Sequence, residues 1–110
     1  MVSRAGIVSW PPITGSLLPV EKSDYFRADV VMARESGFKK DLYEMGHLVE
    51  GIRRNLPLPP DYKTHPLRGD WTGWLDSHLR PDFLLIWRYH NSNGQKIVQL
   101  ARCGPHSWVF

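Results

Sequence analysis

Between Phe38 and Ile52 the apolar residues Phe38, Leu42, Met45, Val49 and Ile52 recur at steps of four, three, four and three, which is the stripe of an amphipathic helix. Ser36 offers an N-cap oxygen, and the helix is predicted to run to about Asn55. Gly46 costs roughly 1 kcal/mol against alanine in a helix interior, so a break into two short helices is the alternative. Upstream, Val30, Val31 and Met32 suit a short strand over Asp29–Arg34. Downstream, Pro57, Pro59, Pro60 and Pro66 exclude helix and central strand from Leu56 to Pro66. Three strands are predicted beyond them. Trp71–Leu79 alternates, with Trp74, Asp76 and His78 on one face and Leu75, Ser77 and Leu79 on the other. Phe83–His90 is apolar on both faces in its first half, as an interior strand is. Lys96–Cys103 returns as its hairpin partner after a turn at Asn91–Gly94. Gly104–Phe110 is too short for an element of its own. The sum is a small α+β domain: an antiparallel-dominated four-stranded sheet with one long or two short N-terminal helices on one face.

Residues 1–27 hold Gly6, Pro11, Pro12, Gly15 and Pro19 and keep neither period for long. They are expected to form a flexible N-terminal extension, or to be the product of an upstream start codon, ahead of a domain over residues 28–110. Arg4 followed by Ala5–Trp10 makes a poor secretory signal, because Pro11 and Pro12 interrupt a short apolar run. A total of 110 residues suits one core. No apolar run is long enough to span a membrane, and a cytoplasmic location is expected. The single cysteine, Cys103, excludes an internal disulfide and a cysteine-built zinc site.

Charge changes this picture by its position. The 14 basic and 11 acidic residues balance before residue 63. The surplus lies beyond it, where Lys63, Arg68, Arg80, Arg88, Lys96 and Arg102 face only Asp70, Asp76 and Asp82. His65, His78, His90 and His106 and four of the five tryptophans share that stretch. Cations for phosphates and flat rings for bases are the two requirements of an RNA-binding surface. A basic surface that serves solubility, over a core of aromatics, would account for the charge alone.

From Leu56 the sequence LPLPPDYKTHPLRGDWTGWLDSHLRPDFLLIWRYH, closing with RCGPHSWVF, resembles the YafQ family of bacterial toxins, which are RelE-like mRNA endoribonucleases of type II toxin–antitoxin systems. The resemblance rests on Leu58, Pro59, Tyr62, His65, Pro66, Leu67, Gly69, Trp71, Gly73, Asp76, His78, Pro81, Asp82, Leu84, Leu85, Ile86, Arg102, Gly104, His106 and Phe110. Upstream, Phe38–Leu42 looks like the start of the family's first helix. The resemblance implies a RelE-like sheet backed by helices, a cognate antitoxin protein as partner, and mRNA on the ribosome as substrate. It implies a reaction without metal or small-molecule cofactor, in which a 2′-hydroxyl attacks the adjacent phosphate. His65, His78, Asp82 and His106 are the catalytic residues it implies, with Phe110 holding substrate.

Such a transfer needs a base for the 2′-hydroxyl, an acid for the departing 5′-oxygen and donors for the charged phosphorane. Histidine suits either proton transfer. His106 is assigned the acid. His78 shares a strand face with Asp76, and Asp82 follows past Pro81; one carboxylate can orient an imidazole while the other acts as base or tautens the network. His65 is read as base or phosphate ligand. As a metal site the set His65, His78, Asp82 and His106 has spacings that match no standard ligand signature, so none is assigned. Arg102 is expected at the phosphate; Lys63, Arg68 and Arg88 are further phosphate candidates. Trp74 and Phe83 are candidates for base stacking, and Trp71 and Trp87 for the core. The stretch Phe38–Leu56 is shorter than the family's two-helix hairpin, which predicts a missing core layer. Leu75, Phe83 and Pro105 also stand where the family carries Arg, Trp, and Thr or Ser. A weakened homologue that binds antitoxin or RNA is therefore the alternative to an active nuclease.

Overall fold

A computed structural model describes residues 17–110 of the chain. Ser23 sets the first helix. Its hydroxyl oxygen accepts the Phe26 N–H at 2.9 Å and its O–H donates to the Ala101 carbonyl at 2.6 Å. Helix α1 (Asp24–Glu35) follows this cap, turning Phe26, Asp29 and Ala33 inward. The strand expected over Asp29–Arg34 is thus helical. Spacing and cap outweigh the β-branched pair Val30–Val31, and Val31 and Met32 face solvent. The boundary expected at residue 28 falls inside α1, and strand β1 (Val20–Lys22) lies ahead of it, so residues 18–27 belong to the domain. Residues 1–16 of the expected extension lie outside the described residues.

Ser36 closes α1 rather than opening the next helix, and Gly37 at φ 88° turns the chain. Helix α2 (Lys39–Arg53) is unbroken at Gly46 and buries Met45, Leu48 and Ile52. The helical layer expected to be missing is present, because α1 supplies its first half from residues left out of the sequence count. Together α1 and α2 cover one sheet face, where Phe26, Ala33, Leu48, Ile52, Tyr62, Leu85, Trp87, Val98 and Cys103 form the main core.

The described residues form five strands rather than four, in the order β1-β5-β4-β3-β2. Strand β2 (His65–Pro66) pairs antiparallel with β3 (Leu75–Arg80), then β3 with β4 (Phe83–Ser92) and β4 with β5 (Gln95–Gly104). The parallel pair β1–β5 closes the far edge. Strand β3 starts later than Trp71 because Gly69–Trp71 forms a 3-10 turn and Gly73 takes φ 95°. The predicted β4–β5 hairpin is present, turned by Asn93 and Gly94, both with positive φ. Gly104–Phe110 does contain an element, the single turn α3 (His106–Val109). Gly104, at φ 128°, makes it possible: a Cβ there would collide with the Trp108 ring. On the face away from α1 and α2, α3 packs a small second core of Ile86, Ala101 and Val109, flanked by Leu67, Trp71, Trp74 and Trp108.

Candidate active site

Sheet alternation and register build the site. Asp76 and His78 point to the same face of β3, opposite Leu75, Ser77 and Leu79, as the sequence pattern requires. The β2–β3 register places His65 directly across from Asp76. His65 is half exposed and His78 is mostly covered, whereas Asp76 is 3% exposed. The imidazole Nε2 atoms of His65 and His78 face Asp76 Oδ2 at 3.6 and 3.4 Å. The other carboxylate oxygen, Oδ1, is buried without a hydrogen-bond partner among the described residues. Burial pushes the Asp76 carboxyl above its ordinary range, against the opposing attraction of His78, His65 and His106.

His106 arrives from the other direction, at the start of α3. Asp82, in the β3–β4 turn, accepts both the His106 backbone N–H at 2.8 Å and a hydrogen bond with Nδ1 at 2.7 Å. The backbone hydrogen bond first, then the imidazole, holds the Asp82 carboxyl below the usual carboxylate range. Pro105 brings no hydroxyl or N–H to this turn, and Asp82 supplies the missing acceptor for the first turn of α3 from across the chain. With Nδ1 engaged, Nε2 of His106 is the nitrogen left for a reacting group. The ring centroids of His65 and His78 stand 5.7 Å apart, those of His78 and His106 6.1 Å, and those of His106 and the exposed Phe110 6.2 Å. Three imidazoles distant in sequence therefore share one open patch.

The other expected residues divide. Lys63, in a left-handed conformation two residues before His65, is exposed, and so is Arg68. Trp74 is half buried, with the Arg88 guanidinium 4.2 Å above its ring and Trp71 at its edge. Trp71 lies on this face beside Phe110 rather than in the main core, whereas Trp87 is buried. Phe83 is not available to a base. It is 1% exposed and packs on Phe38, because Phe83, Leu85 and Trp87 share the face of β4 that the helices cover. Arg102 is held by the protein itself through Nε and Nη2. Its guanidinium donates to both oxygens of buried Asp29 at 2.7 and 3.1 Å and to the Trp108 carbonyl at 2.8 Å. Cys103 is buried as expected, and burial pushes its thiol up to about 12, which leaves no nucleophile at neutral pH.

Fold and site together define a small α+β protein with three imidazoles and two carboxylates gathered on an open sheet face. The chain belongs to the YafQ family, bacterial toxins of type II toxin–antitoxin systems, whose sequence pattern matches residues 18–110. It is 35% identical over 92 residues to the mRNA interferase toxin YafQ of Escherichia coli K12, covering 83% of this chain and 94% of that one. A crystal structure of the E. coli DinJ–YafQ complex superposes with a TM-score of 0.71 at 34% identity, over 84% of this chain and 98% of that one. A metal-bound toxin from Helicobacter pylori superposes with a TM-score of 0.70 at 35% identity, over 86% of this chain and all of that one.

Proposed function

We propose that the chain is the toxin of a toxin–antitoxin pair and cleaves mRNA, engaged on the ribosome in the cytoplasm, by intramolecular phosphoryl transfer. The observation that carries this reading is the convergence of His65, His78 and His106, with rings 5.7 and 6.1 Å apart, on one open patch. Rings this close can reach the oxygens of a single phosphate lying over the patch. His65 or His78 takes the 2′-hydroxyl proton, and the oxygen attacks the neighbouring phosphorus. His106, held by Asp82, delivers a proton from Nε2 to the leaving 5′-oxygen. The products are a 2′,3′-cyclic phosphate and a 5′-hydroxyl. Asp76 fixes the two sheet imidazoles without touching RNA.

Each positioned acid or base contributes about 10²–10⁴-fold, roughly 3–5 kcal/mol, and substrate alignment supplies much of the remainder. Lys63 and Arg68 are suited to the phosphates flanking the cut, and Phe110 to holding a nucleotide beside His106. Trp74 accepts a base once Arg88 swings from its ring. The partner protein supported by the family is a cognate antitoxin.

End-group analysis tests the proposal. RNA incubated with the purified chain, or recovered from cells after its induction, should carry 2′,3′-cyclic phosphate and 5′-hydroxyl termini, at a rate that excess EDTA does not lower. Fragments with 5′-phosphates, or cleavage that EDTA abolishes, would discard the mechanism. Harmless induction by a chain that still captures its antitoxin would favour the binding-only alternative.

A further inference from the structure

Beyond the histidines, one row of side chains crosses the sheet as a continuous polar ladder. Trp74 ends the loop before β3 and lies beside Arg88 of β4, whose guanidinium stands 4.2 Å above its ring. Arg88 pairs in register with Gln99 of β5, and Gln99 with Glu21 of β1. The side chains follow the same line. Arg88 Nε donates to Gln99 Oε1 at 2.7 Å, and Gln99 Nε2 donates to Glu21 Oε1 at 2.8 Å. Each is thus held in place by the next. With the exposed Lys22 and Arg27 they line an open groove of about 560 Å³, ample for one nucleotide. The groove is continuous with the histidine patch. Ring centroids step from His106 to Phe110 at 6.2 Å, from Phe110 to Trp71 at 6.5 Å and from Trp71 to Trp74 at 6.0 Å. His106 protonates the departing 5′-oxygen in the reading above. Phe110 beside it therefore holds the nucleotide immediately 3′ of the cut, and Trp74 the next.

We infer that Trp74, Arg88, Gln99 and Glu21 form a base-reading subsite that selects guanine at the second nucleotide 3′ of the cut. Stacking on Trp74 is open to any base, so contacts to the base edge decide. As the guanidinium rolls off the indole, Gln99 keeps hold of Nε and the Nη groups turn to the edge of the stacked base. Those groups only donate. Guanine offers them two adjacent acceptors, O6 and N7, whereas adenine puts an amino donor in place of O6. Glu21 is exposed and only accepts, which matches the N1–H and N2 amino donors on guanine's other edge. Cytosine also sets acceptors beside a donor, but its single ring covers less of the indole. Lys22 and Arg27 at the rim suit the phosphates that follow. The place of the subsite relative to the cut rests on the nuclease reading; its preference for guanine does not.

Two measurements on the full-length chain test it. Short RNAs carry each of the four bases in turn at that position, with a 2′-deoxy sugar at the cut so that they are bound and not cleaved, and their affinities are read by fluorescence anisotropy. The same RNAs with the 2′-hydroxyl restored give kcat/KM. Guanine should be favoured by about 10–100-fold in both, the discrimination a bidentate contact provides. Arg88→Lys keeps the positive charge on the surface but loses the fork, so the four bases should come within about 3-fold of one another. An arginine that only neutralised phosphate would leave the base profile unaltered by lysine. No measurable binding, equal binding of the four bases, a preference for another base, or a guanine preference that survives Arg88→Lys overturns the inference. Guanine-selective binding by a chain that cuts none of these RNAs would sink the nuclease reading and leave the subsite standing. Cleavage whose selectivity lies at a different nucleotide overturns the placement.

Discussion

His106→Ala lowers the rate of RNA cleavage by about 10²–10⁴-fold and leaves the folded chain as stable as the parent to within roughly 1 kcal/mol. The two halves of that result have separate causes. The imidazole is half exposed and its one side-chain hydrogen bond goes to Asp82, itself largely exposed, so little folding energy is at stake. The backbone N–H that anchors the start of α3 to Asp82 is retained in alanine. Catalysis loses its proton donor for the 5′-oxygen, and no neighbouring group replaces it: His65 and His78 are turned to Asp76. In cells the substitution should relieve growth arrest, and single-turnover cleavage with a melting curve provides the measurement. Cleavage at the parental rate would remove His106 from the role of acid.

Arg102→Ala produces the opposite profile, a loss of about 3 kcal/mol in folding stability with RNA affinity unchanged for the fraction that folds. Asp29 is buried on α1, and both of its oxygens accept from the Arg102 guanidinium, with the Cys103 N–H as a third donor. Removing the guanidinium leaves an ionised carboxylate with one backbone partner under a helix. The Trp108 carbonyl also loses its donor, so α3 loosens. Urea denaturation should show the lower midpoint, and RNA binding below that midpoint should match the parent. A variant with parental stability and weakened RNA binding would return Arg102 to the phosphate.

Which features could be read from sequence follows from how local their causes are. The α2 stripe, the β4–β5 hairpin and the alternation that puts Asp76 beside His78 are each encoded within a few neighbouring residues, and all three are present. Helix α1 is not of that kind. Its cap, Ser23, is tied to Leu100 and Ala101, and the Asp29 that sits inside it is affordable only because Arg102 reaches it from β5. Without those distant partners, Val30–Val31–Met32 looks like a strand. The same non-locality took Phe83 off the expected RNA surface and tied Arg102 to Asp29. Residue type suited them to nucleic acid, but side-chain direction spends one on the helix-covered core and the other on Asp29. Convergence of the histidines was legible only as a resemblance, because nothing between His78 and His106 reveals that the β3–β4 turn meets the end of β5.

The short edge strand β2 also sets a thermal limit on the activity. His65 and Pro66 have one ladder neighbour, β3, and present two exposed side chains outward. Fraying of such a margin costs far less than global unfolding, so its amides should exchange with deuterium early while β4 and β5 stay protected. As β2 peels away, His65 leaves the cluster. Catalytic competence should therefore fade some degrees below the temperature at which the core melts.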